Sequence, residues 1–224
     1  MKKYIALLKQ TQLFSGVGEE DLGAMLGCLQ AKACTYTKGE YIFRQGEYID
    51  CIAIVAEGSV HIQKHDYWGN RSIINVIGVG DMFGEAYSAP DSGALLHDIV
   101  AAQDSTVILF EVNKILTVCS SACRFHSMVI KNLFYAISEK NRKLVQKLGH
   151  MAKRSTREKL ISYLSEEAKR QNSGTLTIPL NRQQLADFLS VDRSAMSNEL
   201  GKMRDDGLLI FDKNRFTLLQ GGLS

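Results

Sequence analysis

The 224-residue chain reads as an α+β protein: an N-terminal antiparallel β-roll, one long helix, and a small C-terminal domain of short helices closed by a hairpin. Three observations predict this. Between Ala31 and Val112, short β-rich runs alternate with turn residues, with glycines at 39, 46, 58, 69, 78, 80 and 84, the punctuation of a small barrel or roll. From about Lys114, apolar residues recur at threes and fours, the period of a helix. Near the C-terminus, "LADFLSVDRSAMSNEL" (residues 185–200) holds two short helical patterns separated by a polar break.

Taken in order, residues 1–30 predict short helices. In "FSGVGEEDLGAML", Ser15 or Gly18 can cap and acids fill the first turn, as the helix start favours. Strands follow at 41–43, 51–56, 59–63, 72–77, 99–102 and 106–112. The long helix carries Met128, Val129, Leu133, Ile137, Leu144, Leu148 and Met151 as a narrow apolar stripe among Lys131, Glu139, Arg142 and Lys147. Such a stripe suits a two-helix seam between subunits. Packing against the chain's own domain competes, and the seam is favoured. The expected divisions are 1–123, 124–151 and 152–224. In the last part "STREKLISYLSEEAKRQ" is a helix, "GTLTIPL" a short strand, and "GLLIFDKNRFTLL" a hairpin turning at 212–214.

Composition narrows the class. No apolar run approaches the ~20 residues of a membrane span, and the apolar part of "MKKYIALLKQ" is too short for a signal peptide, so a cytoplasmic protein is expected. Five cysteines (28, 34, 51, 119, 123) with no CxxC suit free thiols in a reducing compartment. Net charge is +3, unevenly spread: residues 1–150 hold fifteen Lys/Arg and fifteen Asp/Glu, residues 151–224 twelve and nine. The stretch 138–159 has eight Lys/Arg against Glu139 and Glu158. It is either a solvated helix face or a phosphate-facing one.

The stretch 185–200 is physically informative. Asn181 can cap the first helix, with Gln184 completing a capping box. Leu185, Ala186 and Leu189 face inward. Asp192 is a strong cap for the second helix, whose buried stripe is Met196, Leu200 and Met203. The opposite face carries Arg193, Ser194, Ser197 and Asn198, with Lys202 beyond. Hydrogen-bonding side chains on the first half of an exposed second helix are what a helix-turn-helix presents to base edges, and the hairpin after it suits a wing. A generic three-helix packing unit is the plainer alternative.

At this point the chain resembles the CRP/FNR family of bacterial transcription regulators nearly end to end. "KGEYIFRQGEYIDCIAIVAEGSVHI" (38–62) looks like that family's cyclic-nucleotide-binding-type jelly roll, and "GVGDMFGE" (78–85) like the stretch entering its phosphate-binding cassette. The long helix is similar to its dimerisation helix, and "NRQQLADFLSVDRSAMSNELGKMRDDGLL" to its winged helix-turn-helix. The resemblance implies a homodimer on a near-palindromic double-stranded DNA site, with two recognition helices about 34 Å apart. It also implies an effector sensed in the roll that shifts a population of states. RNA polymerase is a further partner if the protein activates; repression needs none.

Two departures matter. Cyclic-nucleotide binders of the family hold the phosphate with a Glu and an Arg-Ser or Arg-Thr pair, because a buried anion needs a bidentate cation. Glu85 matches the Glu, but Leu95 and Leu96 stand about where the pair belongs, and His97 and Asp98 are the nearest polar residues. The effector pocket is therefore expected around Phe83, Gly84, Glu85, Leu95, Leu96 and His97, for an unidentified small molecule other than cAMP or cGMP. In the reading helix, Arg193 matches the family's first Arg, while Ser194 and Asn198 replace its Glu and second Arg. Since Asn prefers adenine and Arg guanine, half-sites unlike TGTGA or TTGAT are expected. Ser155, Arg182 and Gln183 match phosphate-contacting positions, with Lys202 added.

Other chemistries find little support. Cys119 and Cys123, four apart, suit packing better than an iron–sulfur cluster. His61, His65, His97, His126 and His150 form no haem or metal motif, so no metal and no cofactor are expected. A cupin-like enzyme needs a His-x-His and carboxylate on a metal, and none is present. A sensing subunit acting on a protein without reading DNA is the remaining alternative, opposed by the intact helix-turn-helix.

Overall fold

The computed structural model describes residues 1–65, 67–68, 71–89, 91–117 and 124–219; Cys119 and Cys123 lie outside them. The chain forms two compact units, Met1–Ser138 and Glu139–Ser224.

In the first unit, α1 (Ile5–Gln10) and α2 (Glu19–Cys28) precede eight strands. These are β1 (Lys32–Tyr36), β2 (Tyr41–Phe43), β3 (Cys51–Glu57), β4 (Val60–His65), β5 (Arg71–Ile77), β6 (Met82–Phe83), β7 (Asp98–Ala101) and β8 (Ser105–Glu111). They make two four-stranded sheets in the orders β1-β8-β3-β6 and β2-β7-β4-β5, with antiparallel pairing throughout. The expected α+β roll is present. The short strands β1 and β6 were not anticipated, because neither carries a β-branched run.

"CIAIVAE" and "STVILFE" are near-continuous apolar runs because β3 and β8 are covered on both faces. Ala53, Val55 and Val107 point into the roll with Ile42, Val60, Phe83, Leu95 and Ile99. Ile52, Ile54, Ile108 and Phe110 point the other way, into a second core with Leu8, Phe14, Leu22 and Leu29. Gly58 makes the β3–β4 turn at φ +84, where a Cβ would come within 2.5 Å of the Asp104 carbonyl oxygen. No other residue fits there.

A short helix α3 (Val112–Leu116) leads towards α4 (Arg124–Met151), the 28-residue helix expected at those positions. Its stripe is divided. Val129, Leu133 and Ala136 are buried in the first unit's own core, and Met128 packs against it. Met128, Val129 and Leu133 are therefore corrected: they hold the helix to its own domain, the arrangement the seam was preferred over. Ile137, Leu144 and Leu148 are 42%, 60% and 62% exposed, as are Phe134 (66%) and Val145 (60%).

The second unit contains the C-terminal half of α4, then α5 (Thr156–Gln171), β9 (Thr175–Thr177), α6 (Arg182–Leu189), α7 (Arg193–Asp205), β10 (Leu209–Asp212) and β11 (Arg215–Leu218). Its core is Leu160, Tyr163, Leu164, Leu176, Leu185, Ala186, Leu189, Met196, Leu200, Met203 and Phe216. All six inward positions expected on α6 and α7 are buried. The hairpin β10–β11 pairs with β9 in the order β10-β11-β9, turning through Lys213 at φ +49.

Candidate nucleic-acid interface

The two helices are begun by the side chains expected of them. Asn181 Oδ1 accepts from the Gln184 N–H at 3.0 Å while Gln184 Oε1 accepts from the Asn181 N–H at 2.9 Å, a reciprocal capping box. Ser190, at φ +50, closes α6, and the Lys159 ammonium donates to the carbonyls of Leu189 and Ser190 at 3.2 and 3.4 Å. Asp192 caps α7 by accepting from the Ala195 N–H at 2.8 Å. Arg157 of α5 ties to Glu199 on α7 and to Asp206 just after it, so α5 and α7 are also joined by charge.

On the exposed face of α7 the four expected base-reading residues differ in what they have left to offer. Ser194 donates its hydroxyl to Asp192, which, with the Ala195 N–H, holds that carboxyl below its ordinary value. Ser197 donates to the carbonyl of Arg193 at 2.9 Å. Both serine protons are thus spent within the helix, leaving acceptor lone pairs. Arg193 and Asn198 are exposed, and neither side chain makes a hydrogen bond to another described residue.

The expected phosphate contacts are equally distinct. Ser155 caps α5, accepting from the Glu158 N–H at 3.2 Å, and its own proton remains to donate. Gln183 donates to Asp187 at 2.8 Å. Lys202 is exposed. Arg182 is not a free surface cation. Its guanidinium lies 4.8 Å from the Phe211 ring and 5.0 Å from the Phe216 ring, joining the start of α6 to the hairpin. Burial lowers its pKa, and its Nη1 is buried without a hydrogen-bond partner.

Around the expected effector pocket, Phe83 and Leu95 share the roll's core, 2% and 3% exposed. Gly84 holds φ +88, where a Cβ would approach the Cys51 carbonyl oxygen to 3.1 Å, so the backbones pass closely. Leu96 is 62% exposed and does not line the interior, a correction. His97 and Glu85 are half-buried. Nearby, Asp98 accepts from the Gln45 N–H at 2.9 Å and lies 3.2 Å from His65 Nδ1. Leu95, which the family resemblance puts about where a phosphate-binding arginine would stand, is buried. Cys28, Cys34 and Cys51 are free thiols, and burial, then Asp50 and Cys34, push the Cys51 thiol up to about 11. Among the described residues no three His, Cys, Asp or Glu side chains are grouped to hold a metal ion, and no helix is long and apolar enough to cross a membrane.

Comparison with known proteins decides the family. Residues 33–122 match the model of the cyclic nucleotide-binding domain, and residues 158–221 that of the Crp-like helix-turn-helix domain. The chain belongs to the CRP/FNR family of regulators. It is 24% identical over 203 residues to the cyclic AMP receptor protein of Thermus thermophilus, covering 90% of this chain and 89% of that one. It is 20% identical over 194 residues to the transcriptional activator protein FnrL of Cereibacter sphaeroides, covering 83% and 75%. A solved structure of CprK complexed with OCPA shares the fold at a TM-score of 0.62 and 15% identity, covering 87% of this chain and 90% of that one. In this family's plan the protein is a CRP/FNR-type transcription regulator, with an effector-binding-type domain and a DNA-binding helix-turn-helix.

Proposed function

We propose that the protein acts as a homodimer that reads a near-palindromic DNA site through α7, under the control of a small molecule other than cAMP or cGMP. The single observation that carries the DNA reading is the capped, rigidly packed α7, whose exposed face holds Arg193 and Asn198 with uncommitted donors. Arg193 suits guanine and Asn198 adenine. The two serines accept rather than donate. Ser155, Gln183, Lys202 and Arg182 are assigned to phosphates.

The dimer reading rests on α4. Its outward positions Phe134, Ile137, Asn141, Leu144 and Leu148 are exposed and spaced alternately by three and four. That is a heptad seam, with one polar residue of the kind that sets register in paired helices. Such an exposed apolar strip on a lone chain marks an interface. Fluorescence anisotropy with selected duplexes, comparing the protein with Arg193→Ala and with the seam variant Leu144→Glu, tests both parts. Arg193→Ala is expected to weaken binding by about 1–3 kcal/mol and Leu144→Glu to weaken it through loss of the dimer, and retention of full affinity by either contradicts the corresponding part.

A further inference from the structure

The last turn of α4 carries a buried polar residue that neither base reading nor the seam uses. His150 is 5% exposed. Its Nδ1 lies 2.8 Å from Ser162 Oγ and its Nε2 3.1 Å from Glu166 Oε2, both on α5. A neutral ring satisfies both at once: the Nε2–H donates to the carboxylate, and Nδ1 accepts from the hydroxyl. The ring stands edge-on to Tyr163 at 5.7 Å and tilted against Phe188 of α6 at 6.3 Å. One turn earlier, the Lys147 ammonium lies over the Phe188 ring at 5.3 Å, and Met151 Sδ lies 3.9 Å from the Ser190 hydroxyl at the end of α6. A leucine would fill the same space, but it would not fix the helix's rotation as two directional bonds at right positions do.

We propose that His150 is a positioning residue that clasps the end of α4 to α5, so that the non-helical residues 152–155 are not a swivel. The last turn of α4, α5 and α6 move as one body, and the orientation of α7 is set by the turn of α4 that precedes it. The functional half of this inference rests on the DNA-binding reading; the mechanical half does not.

The test places spin labels at the exposed residues Lys143 and Lys169 of the full-length protein, diluted into unlabelled chains so that only pairs within one chain are read. A single narrow distance distribution is expected, unchanged by adding a selected duplex. His150→Ala is expected to broaden it, as is the milder pair Ser162→Ala with Glu166→Gln, which guards against loss of folding in the first variant. A broad or DNA-dependent distribution in the unsubstituted protein overturns the clasp. So does a folded variant whose distribution stays narrow. His150→Phe keeps a packed ring but removes both bonds, and it is expected to weaken DNA binding about tenfold, the scale of one broken contact pair, with dimerisation intact. Full affinity in that variant overturns the positioning role. If the unsubstituted protein binds no DNA at all, the DNA reading fails while the spin distances still decide the clasp.

Discussion

At the scale of single residues, the interface separates side chains that are spent from side chains that are available. Arg193 and Asn198 have no competing bond within the helix, whereas Ser194 and Ser197 have given up their protons. Replacing Arg193 or Asn198 by Ala should each cost about 1–3 kcal/mol of specific binding and relax preference at one base position. Ser197→Ala should leave base preference unchanged, and competition binding against single-base variants of the site measures both. Asp192 has its own pH signature. Its carboxyl is held low by the Ser194 hydroxyl first and the Ala195 N–H second. The stability this confers is therefore complete above its ordinary value of 3.8 and is lost as pH falls through the lower folded value. Helicity of α7 should be flat from pH 7 to 5 and fray only below 3.8, as backbone amide exchange or NMR shifts of 193–196 would show. The caps and the buried stripe of α7 were legible from sequence, because both are set by neighbours three and four residues away. The stacking of Arg182 on Phe211 and Phe216 was not, because those rings come from a distant hairpin that only folding brings over α6.

At the scale of elements, α4 is the instructive case. Its periodicity announced a helix and an apolar face, and both are present. What periodicity does not contain is the identity of the neighbour. Val129 and Leu133 meet the chain's own core, while Phe134, Ile137, Leu144 and Leu148 face outward. The two sets respond differently to substitution. Leu133→Ala opens a cavity in the first unit and should cost about 2–5 kcal/mol of its stability, with no change in association state at high concentration. Asn141→Leu removes the polar position from the seam. It should tighten the dimer and loosen its register, read by sedimentation as a lower dissociation constant with higher-order species appearing. The strands β3 and β8 teach a similar lesson. Their continuous apolar runs were read as strands, but the second core that covers their outer face belongs to helices at both ends of the first unit. In the second unit, Asn181→Ala removes a reciprocal cap and should lower stability by about 1 kcal/mol in a thermal melt.

At the scale of the whole molecule, the β-roll and the helix-turn-helix follow the plan of a CRP/FNR regulator, and the proposed departures concern its signal and its DNA words. If the resemblance places Leu95, which is buried, where a phosphate-binding arginine would stand, micromolar cAMP should produce neither a calorimetric signal nor a shift in melting temperature. If Asn198 takes the place of the family's second arginine, as the resemblance implies, the preferred site should differ from the family's common half-sites. These departures are readings of the sequence at single motif positions. The effector itself was not legible there, because the roll's interior is shaped by residues from seven strands. The most direct test of the central claim is selection from random double-stranded DNA by the purified protein at a stated salt concentration, with Arg193→Ala in parallel. Recovery of a two-fold symmetric site with guanine and adenine positions, lost in the variant, is the predicted result. Equal recovery by both proteins, or an enriched site of TGTGA half-sites, would contradict it.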